Sequence, residues 1–192
     1  FALADGRQLL QGGETSDFIC IIPKPIAISS LKLYRKQRSF SMALSKLNSL
    51  YKAVVTGHSA HPHHQGRLEG VEQVSLNNPT CGDVISLSVQ FDEQGMIEDI
   101  AFVNSGCSIS TASASMMTDV VLGKTKDEAL ALAEIFSQMV QGKDDEQQKE
   151  LGDAAFLAGV AKFPQRIKCS TLGWNALKRA IEEAGNSEKL SK

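Results

Sequence analysis

Three cysteines stand where a thiol can do chemistry rather than inside apolar stripes. Cys81 lies in Asn78-Pro79-Thr80-Cys81-Gly82-Asp83, Cys107 in Ser105-Gly106-Cys107-Ser108, and Cys169 directly after Arg166-Ile167-Lys168. Pro79 and Gly82 are turn formers, so Cys81 projects from a tight exposed loop. Cys107 and Cys169 are placed at helix starts, where unpaired N–H groups and the positive end of the dipole favour thiolate over thiol. Arg166 and Lys168 add positive charge beside Cys169. Asp83 follows Cys81 closely enough for its carboxylate to join that sulfur on one cation.

Three sulfurs and one oxygen make a four-ligand set that suits tetrahedral zinc, with Zn–S near ~2.3 Å and Zn–O near ~2.0–2.2 Å. The ligands are scattered along the chain, unlike the paired Cys-x-x-Cys of a zinc finger, so spacing leaves a second reading open: three unrelated buried cysteines. A purely structural zinc site is usually built from cysteine and histidine alone. A carboxylate among thiolates is a harder, more exchangeable ligand, and the set leaves the site net negative. Such a centre can release a thiolate when a partner supplies a substitute, and the freed sulfur can then attack a persulfide by thiol–disulfide-type exchange.

The bulk properties are compatible with that chemistry. The chain has 192 residues, 42% hydrophobic and 22% charged, with 20 basic and 22 acidic side chains. A balance of this kind argues against a nucleic-acid surface, and no apolar run is long enough for a membrane helix. Four cysteines are too few for a disulfide-dense secreted scaffold and fit reduced thiols in the cytoplasm.

The elements that position the thiols read as α+β. Apolar Leu44, Leu47, Leu50, Tyr51, Val54 and Val55 predict a first helix, ended by Gly57. Strands are predicted over Gly70–Leu76, Val84–Phe91 and Ile97–Val103, with a turn at Asp92–Gly95, which gives a three-stranded antiparallel meander. Ile109, Ala112, Met116, Met117, Val120 and Val121 form a helical stripe ended by Gly123. Thr125 and Glu128 form a capping box for a further helix that buries Leu130, Ala133, Phe136, Met139 and Val140. Leu151–Phe163 reads as a short Ala-rich helix stopped by Pro164. A last helix carries Leu172, Trp174, Leu177, Ala180 and Ile181 and stops at Gly185. Strands followed by helices place the helices on one face of the sheet.

Residues 1–41 read as a leader or extension outside the fold, with Pro23 and Pro25 closing an apolar run and Lys24, Lys32, Arg35, Lys36 and Arg38 following it. Cys20, isolated there, has no expected role. Residues 42–186 form the expected domain and 187–192 a tail. The tract from His58 to His64, with no acid or cysteine near it in sequence, reads as a solvated turn rather than a metal site. Lys143–Glu150 reads as a solvated charged loop.

The three cysteine motifs are similar to those of the IscU/SufU/NifU-N-terminal iron–sulfur cluster assembly family, and the similarity runs from about Met42 to Ala184. Scaffold-type members carry a histidine beside the third cysteine and a Leu-Pro-Pro-Val-Lys chaperone motif. This chain has Lys168 beside Cys169, no such motif, and an inserted segment at about 142–163, as in the SufU type. The resemblance implies zinc held by Cys81, Asp83, Cys107 and Cys169, with a transient iron–sulfur cluster as the alternative occupant. It implies a cysteine desulfurase, SufS, as sulfur donor and a SufBCD-type machinery as recipient. It further implies that Cys81 accepts the sulfur while a desulfurase histidine takes its place on zinc, and that Arg166 assists the exchange. A scaffold for nascent iron–sulfur clusters is the alternative function.

Overall fold

In the computed structural model, residues 49–143 and 146–190 are described, with side chains through residue 186. The expectations for residues 1–41, Cys20, Leu44 and Leu47 lie outside them. Every described residue belongs to one compact unit, Ala43–Lys192.

Strands β1 (Gln73–Asn78), β2 (Asp83–Phe91) and β3 (Ile97–Ser105) form one antiparallel sheet in the order β1-β2-β3. Alternation in β2 sends Asp83, Ile85, Leu87 and Val89 inward, while Val84 and Gln90 face solvent. Period two therefore places Asp83 on the core side of the sheet at its rim. Opposite it are Asn78, its cross-strand partner, and the end of β3, where Ser105 pairs with Val84.

Helices cover the inner face, as the α+β reading expects. Helix α1 spans residues 49–60, α2 is Ser108–Val121, α3 Lys126–Val140, α4 Pro164–Ser170 and α5 Leu172–Leu190. Helix α5 packs on β1 and β2, and α2 on β3. The core joins Ile85, Leu87 and Phe102 of the sheet to Met116, Phe136, Leu157, Trp174 and Leu177. Each such side chain contributes ~1.5–3 kcal/mol of burial. Trp174 stacks on Phe136 with centroids 4.5 Å apart. Its indole N–H reaches Ser113 Oγ at 3.2 Å, and Ser113 donates to the carbonyl of Ser170 at 2.6 Å. That relay fixes the end of α4, and Cys169 with it, against α2.

The capping box of α3 forms as expected, with Thr125 Oγ1 accepting from the Glu128 N–H and Glu128 accepting from the Thr125 N–H at 2.9 Å. Four details differ from the sequence reading. Helix α1 runs through Gly57 and α5 through Gly185, because an interior glycine costs only ~1 kcal/mol and tertiary packing overrides it. The tail reading of 187–192 is altered accordingly, since α5 continues to Leu190. In α3, Leu132 is buried and Leu130 only partly so. The segment Glu146–Lys162 is 3₁₀, not α, and its charged start is not a loop.

Within that segment Leu151, Ala154, Leu157 and Val160 are buried. This spacing of three matches the three residues per 3₁₀ turn and keeps one side on the core. Two 3₁₀ stretches meet at Gly152, whose φ of 51° and ψ of −128° suit glycine far better than other residues. Substituting Leu157→Ala should cost ~2–5 kcal/mol, read as a lower urea midpoint with an unchanged m-value. A shift below ~0.5 kcal/mol would mean the 3₁₀ segment is not part of the core.

Candidate metal centre

Three segments converge at the rim where Asp83 sits. The first is the β1–β2 turn. Asn78 Oδ1 accepts from the Thr80 N–H (3.1 Å) and its carbonyl from the Gly82 N–H (2.8 Å), an Asx turn that lifts Cys81 into solvent. The second is the β3–α2 junction, where Cys107 is the N-cap of α2 with extended φ and ψ. The third is α4, begun by Pro164 at its first turn.

Here one expectation fails. Cys169 lies in the last turn of α4, not at the start of the final helix, which begins at Leu172. Pro164 ends the 3₁₀ segment and also opens a new helix, a position proline favours because its missing N–H is not needed there. No helix N-terminus therefore assists Cys169. Its thiol is buried. Burial first, then the neighbouring Cys81 sulfur and Asp83 carboxylate, push its pKa far above the ordinary thiol range.

The sulfurs of Cys81 and Cys169 are 2.9 Å apart, well beyond the ~2.05 Å of a disulfide. Cys81 is exposed and Cys169 buried. One ligand atom each from Cys81, Asp83 and Cys169 lies within 4.8 Å of the other two. The sulfur of Cys107 is outside that triplet, although its backbone N–H donates to Asp83 Oδ1 at 3.1 Å. Arg166, at the surface of α4, faces both remaining thiols. The charge of Cys107, then the hydrogen bond to Cys169, raises its pKa further above the ordinary value. Lys168 turns away, its ammonium donating to Thr80 Oγ1 at 3.4 Å.

Asn78 belongs to the site, and sequence reasoning missed it. Its buried amide donates to Cys81 Sγ at 2.9 Å and approaches Cys169 Sγ at 3.7 Å. The available signal was the position just before Pro79, where an Asn side chain is expected to bond its own turn.

The donor set suits a divalent cation. Asp83 is 3% exposed, and among the described residues its Oδ2 has no hydrogen-bond donor. A buried carboxylate oxygen without a partner is costly, and a metal ion removes that cost. Two sulfurs and this oxygen point to zinc or another thiophilic ion rather than to magnesium or calcium. Space is reserved for it as well. A Cβ on Gly106 would stand 2.8 Å from Asp83 Cγ and 2.9 Å from Oδ1, so only glycine lets the carboxylate keep its place.

A model of the NifU-like N terminal domain family matches residues 50–170. The chain belongs to this family. It is 70% identical over 150 residues to the iron–sulfur cluster assembly scaffold protein IscU of Streptococcus pyogenes serotype M1, covering 78% of this chain and 94% of that one. It is 46% identical over 144 residues to the zinc-dependent sulfurtransferase SufU of Bacillus subtilis strain 168, covering 74% and 97%. A crystal structure of an iron–sulfur cluster assembly scaffold protein for the SUF system from Fervidobacterium islandicum AW-1 superposes with a TM-score of 0.63 at 32% identity. It covers 67% of this chain and 93% of the other.

Two outcomes follow from this geometry. Gly106→Ala should force Asp83 out of position and lower zinc affinity at least tenfold in a chelator competition. Unchanged affinity would show that Asp83 Oδ2 is not a ligand. The second concerns pH. The unfolded chain loses the Cys169 proton near ~8.5, whereas the folded, metal-free protein keeps it to higher pH. The folded state then binds more protons than the unfolded one, so metal-free stability falls as pH rises above about 8.5. Urea midpoints of chelator-treated protein between pH 7.5 and 9.5 should decline, and Cys169→Ala should flatten the decline.

Proposed function

We propose that this protein is a zinc-dependent sulfurtransferase. In this reading it accepts persulfide sulfur from a cysteine desulfurase of the SufS type and passes it toward a SufBCD-type iron–sulfur assembly machinery. One observation carries the reading: an exposed thiol, Cys81, stands 2.9 Å from a buried one and beside a buried carboxylate with an open oxygen. The donor set would be Cys81, Asp83, Cys169 and, as fourth ligand, Cys107. Zinc bound there would keep these thiols deprotonated at neutral pH.

The chain's own residues divide the work. The Cys81 thiolate attacks the terminal sulfur of the donor's cysteine persulfide. An S–S bond forms at Cys81, the donor's S–S bond breaks, and its electron pair leaves on the donor cysteine as thiolate, so no external oxidant is needed. Asn78 holds Cys81 toward the site through its amide. Arg166 places positive charge beside Cys107 and Cys169 and offsets the negative charge there. Lys168, bonded to Thr80, stands beside Cys169 and offers no imidazole for a cluster. The name of the 46% relative supports this assignment.

A scaffold for nascent iron–sulfur clusters is the second reading, favoured by the name of the 70% relative. The same three thiols would serve it. The two readings part in the test tube. Cys81→Ala should abolish stimulation of the desulfurase while the protein still folds, and a variant that stimulates like wild type ends the sulfurtransferase reading. Anaerobic reconstitution followed by Mössbauer spectroscopy that finds a stable 2Fe–2S cluster at full occupancy would favour the scaffold. Metal analysis should find about one zinc per chain, reduced or made labile by Asp83→Ala.

A further inference from the structure

The histidine tract is only in part the solvated turn its composition suggests: His61 and His63 are exposed, but its first histidine is not. His58 lies in the last turns of α1 and is 7% exposed. The loop after it pairs along β3. The Gly66 N–H donates to the Phe102 carbonyl at 2.9 Å, the Phe102 N–H donates to the His64 carbonyl at 3.0 Å, and Gln65 bridges Phe102. His64 holds a left-handed φ of 51°, the one non-glycine residue with positive φ among those described. Backbone this constrained is over-determined by its surroundings. It brings His58 and His63 together with ring centroids 4.7 Å apart.

The acid missing from the local sequence arrives from α2. Asp119 Oδ2 is 2.7 Å from His63 Nδ1, and its Oδ1 is 3.6 Å from His64 Nδ1. One ligand atom each of His58, His63 and Asp119 lies within 4.8 Å of the others. Groups behind them fix their orientation. Ser115 Oγ accepts from the His63 backbone N–H at 2.8 Å and bonds His58 Nδ1 at 2.8 Å, and Asp153 stands 3.4 Å from His58 Nε2. Ser115 on Nδ1 is the kind of backing partner a metal-ligating histidine usually has, so His58 would ligate through Nε2 in exchange for its 3.4 Å contact with Asp153. Asp119 also sits in the last turn of α2, where no basic residue offsets the negative dipole end; a cation there would.

We propose that His58, His63 and Asp119 form a second metal site, for a borderline divalent transition ion such as Zn²⁺, Co²⁺ or Fe²⁺. Two imidazoles and one carboxylate select that class over magnesium or calcium, which take oxygen ligands. Two metal–ligand bonds of ~2.0–2.2 Å span at most ~4.4 Å, so a small rotation of the half-exposed His63 and Asp119 side chains closes the site. Three protein ligands leave positions open to solvent or to an exchanging partner. Cys107 caps the start of α2 and Asp119 ends it, ~18 Å apart along the axis at 1.5 Å per residue. The two centres share no ligand, and this inference does not rest on the proposed function.

Cobalt titration of the metal-free full chain tests it, with total bound metal from equilibrium dialysis and the near-ultraviolet thiolate-to-cobalt band followed together. Wild type should bind two equivalents, only one of which adds thiolate absorbance. His63→Ala and Asp119→Ala, at exposed positions, should each lose one equivalent and keep the thiolate band, while His61→Ala retains both. A single equivalent in wild type that carries the thiolate band would show a hydrogen-bonded clasp without an ion. A second equivalent that survives both variants would place it elsewhere, and either result overturns the site. Loss of the thiolate band with the second equivalent intact would count against the cysteine centre alone.

Discussion

A carboxylate buried on the core side of a sheet has to be neutralised, and the rim of this domain is organised around that requirement. Asp83 begins β2 in register with Ile85 and Leu87, so the alternation that builds the core also carries a charge toward it. One oxygen takes the Cys107 N–H; among the described residues the other takes nothing. Turning the side chain outward would need a one-residue slip of β2, which would expose its whole apolar set. The strand register and the demand for a counter-charge at Asp83 are thus one constraint. Gly106 completes it by leaving the volume its own side chain would fill.

Helix α2 carries the rest. Its small polar residues, Ser110, Ser113, Ser115 and Thr118, are buried together with Ala112, Ala114, Met116 and Met117. A helix buried almost all round needs partners for its hydroxyls, and three of those found here hold residues of the two candidate sites. Ser113 ties down the carbonyl next to Cys169. Ser115 holds His58 and His63, and Thr118 bonds His64 at 3.1 Å. Close approach makes this possible: a Cβ on Gly173 of α5 would stand 3.3 Å from Ala114 Cα. A bulkier residue at either place would push α5 and α4 off the helix that orients them.

The parts of this arrangement that were legible in sequence are those set by local physics. Period two exposed the three strands and their order, and Thr125 with Glu128 announced α3. Cys81 and Cys107 fell at the junctions their turn and strand neighbours implied. The rest depended on partners remote in sequence. Sequence alone puts Cys169 on the wrong helix because Pro164 is equally consistent with a stop and a start. It does not separate the 3₁₀ segment from α-helix because Ala-rich composition does not distinguish a period of 3.0 from 3.6. His58 looked solvated because Asp119 and Asp153, its neighbours in space, are far away in the chain. Asn78 was passed over as a turn residue, although its amide also reaches two sulfurs.

The asymmetry between the two close sulfurs gives the centre its direction. Cys169 is buried, its thiol donates toward the Gln165 carbonyl at 3.9 Å, and its proton is held tightly without a cation. Cys81 stands in solvent on a turn braced by an Asx bond. A cation shared by both would lose Cys81 first, because water and a partner reach that sulfur while the strand, α4 and α2 enclose the other. Releasing Cys81 leaves its sulfur near Asn78 and at the surface, ready to react. Releasing Cys169 would strand a buried thiolate at the negative end of α4, with Arg166 and the more distant Asn78 amide to oppose it. In the proposed sulfur transfer, burial alone would thus decide which thiol is anchor and which is nucleophile, before any partner arrives.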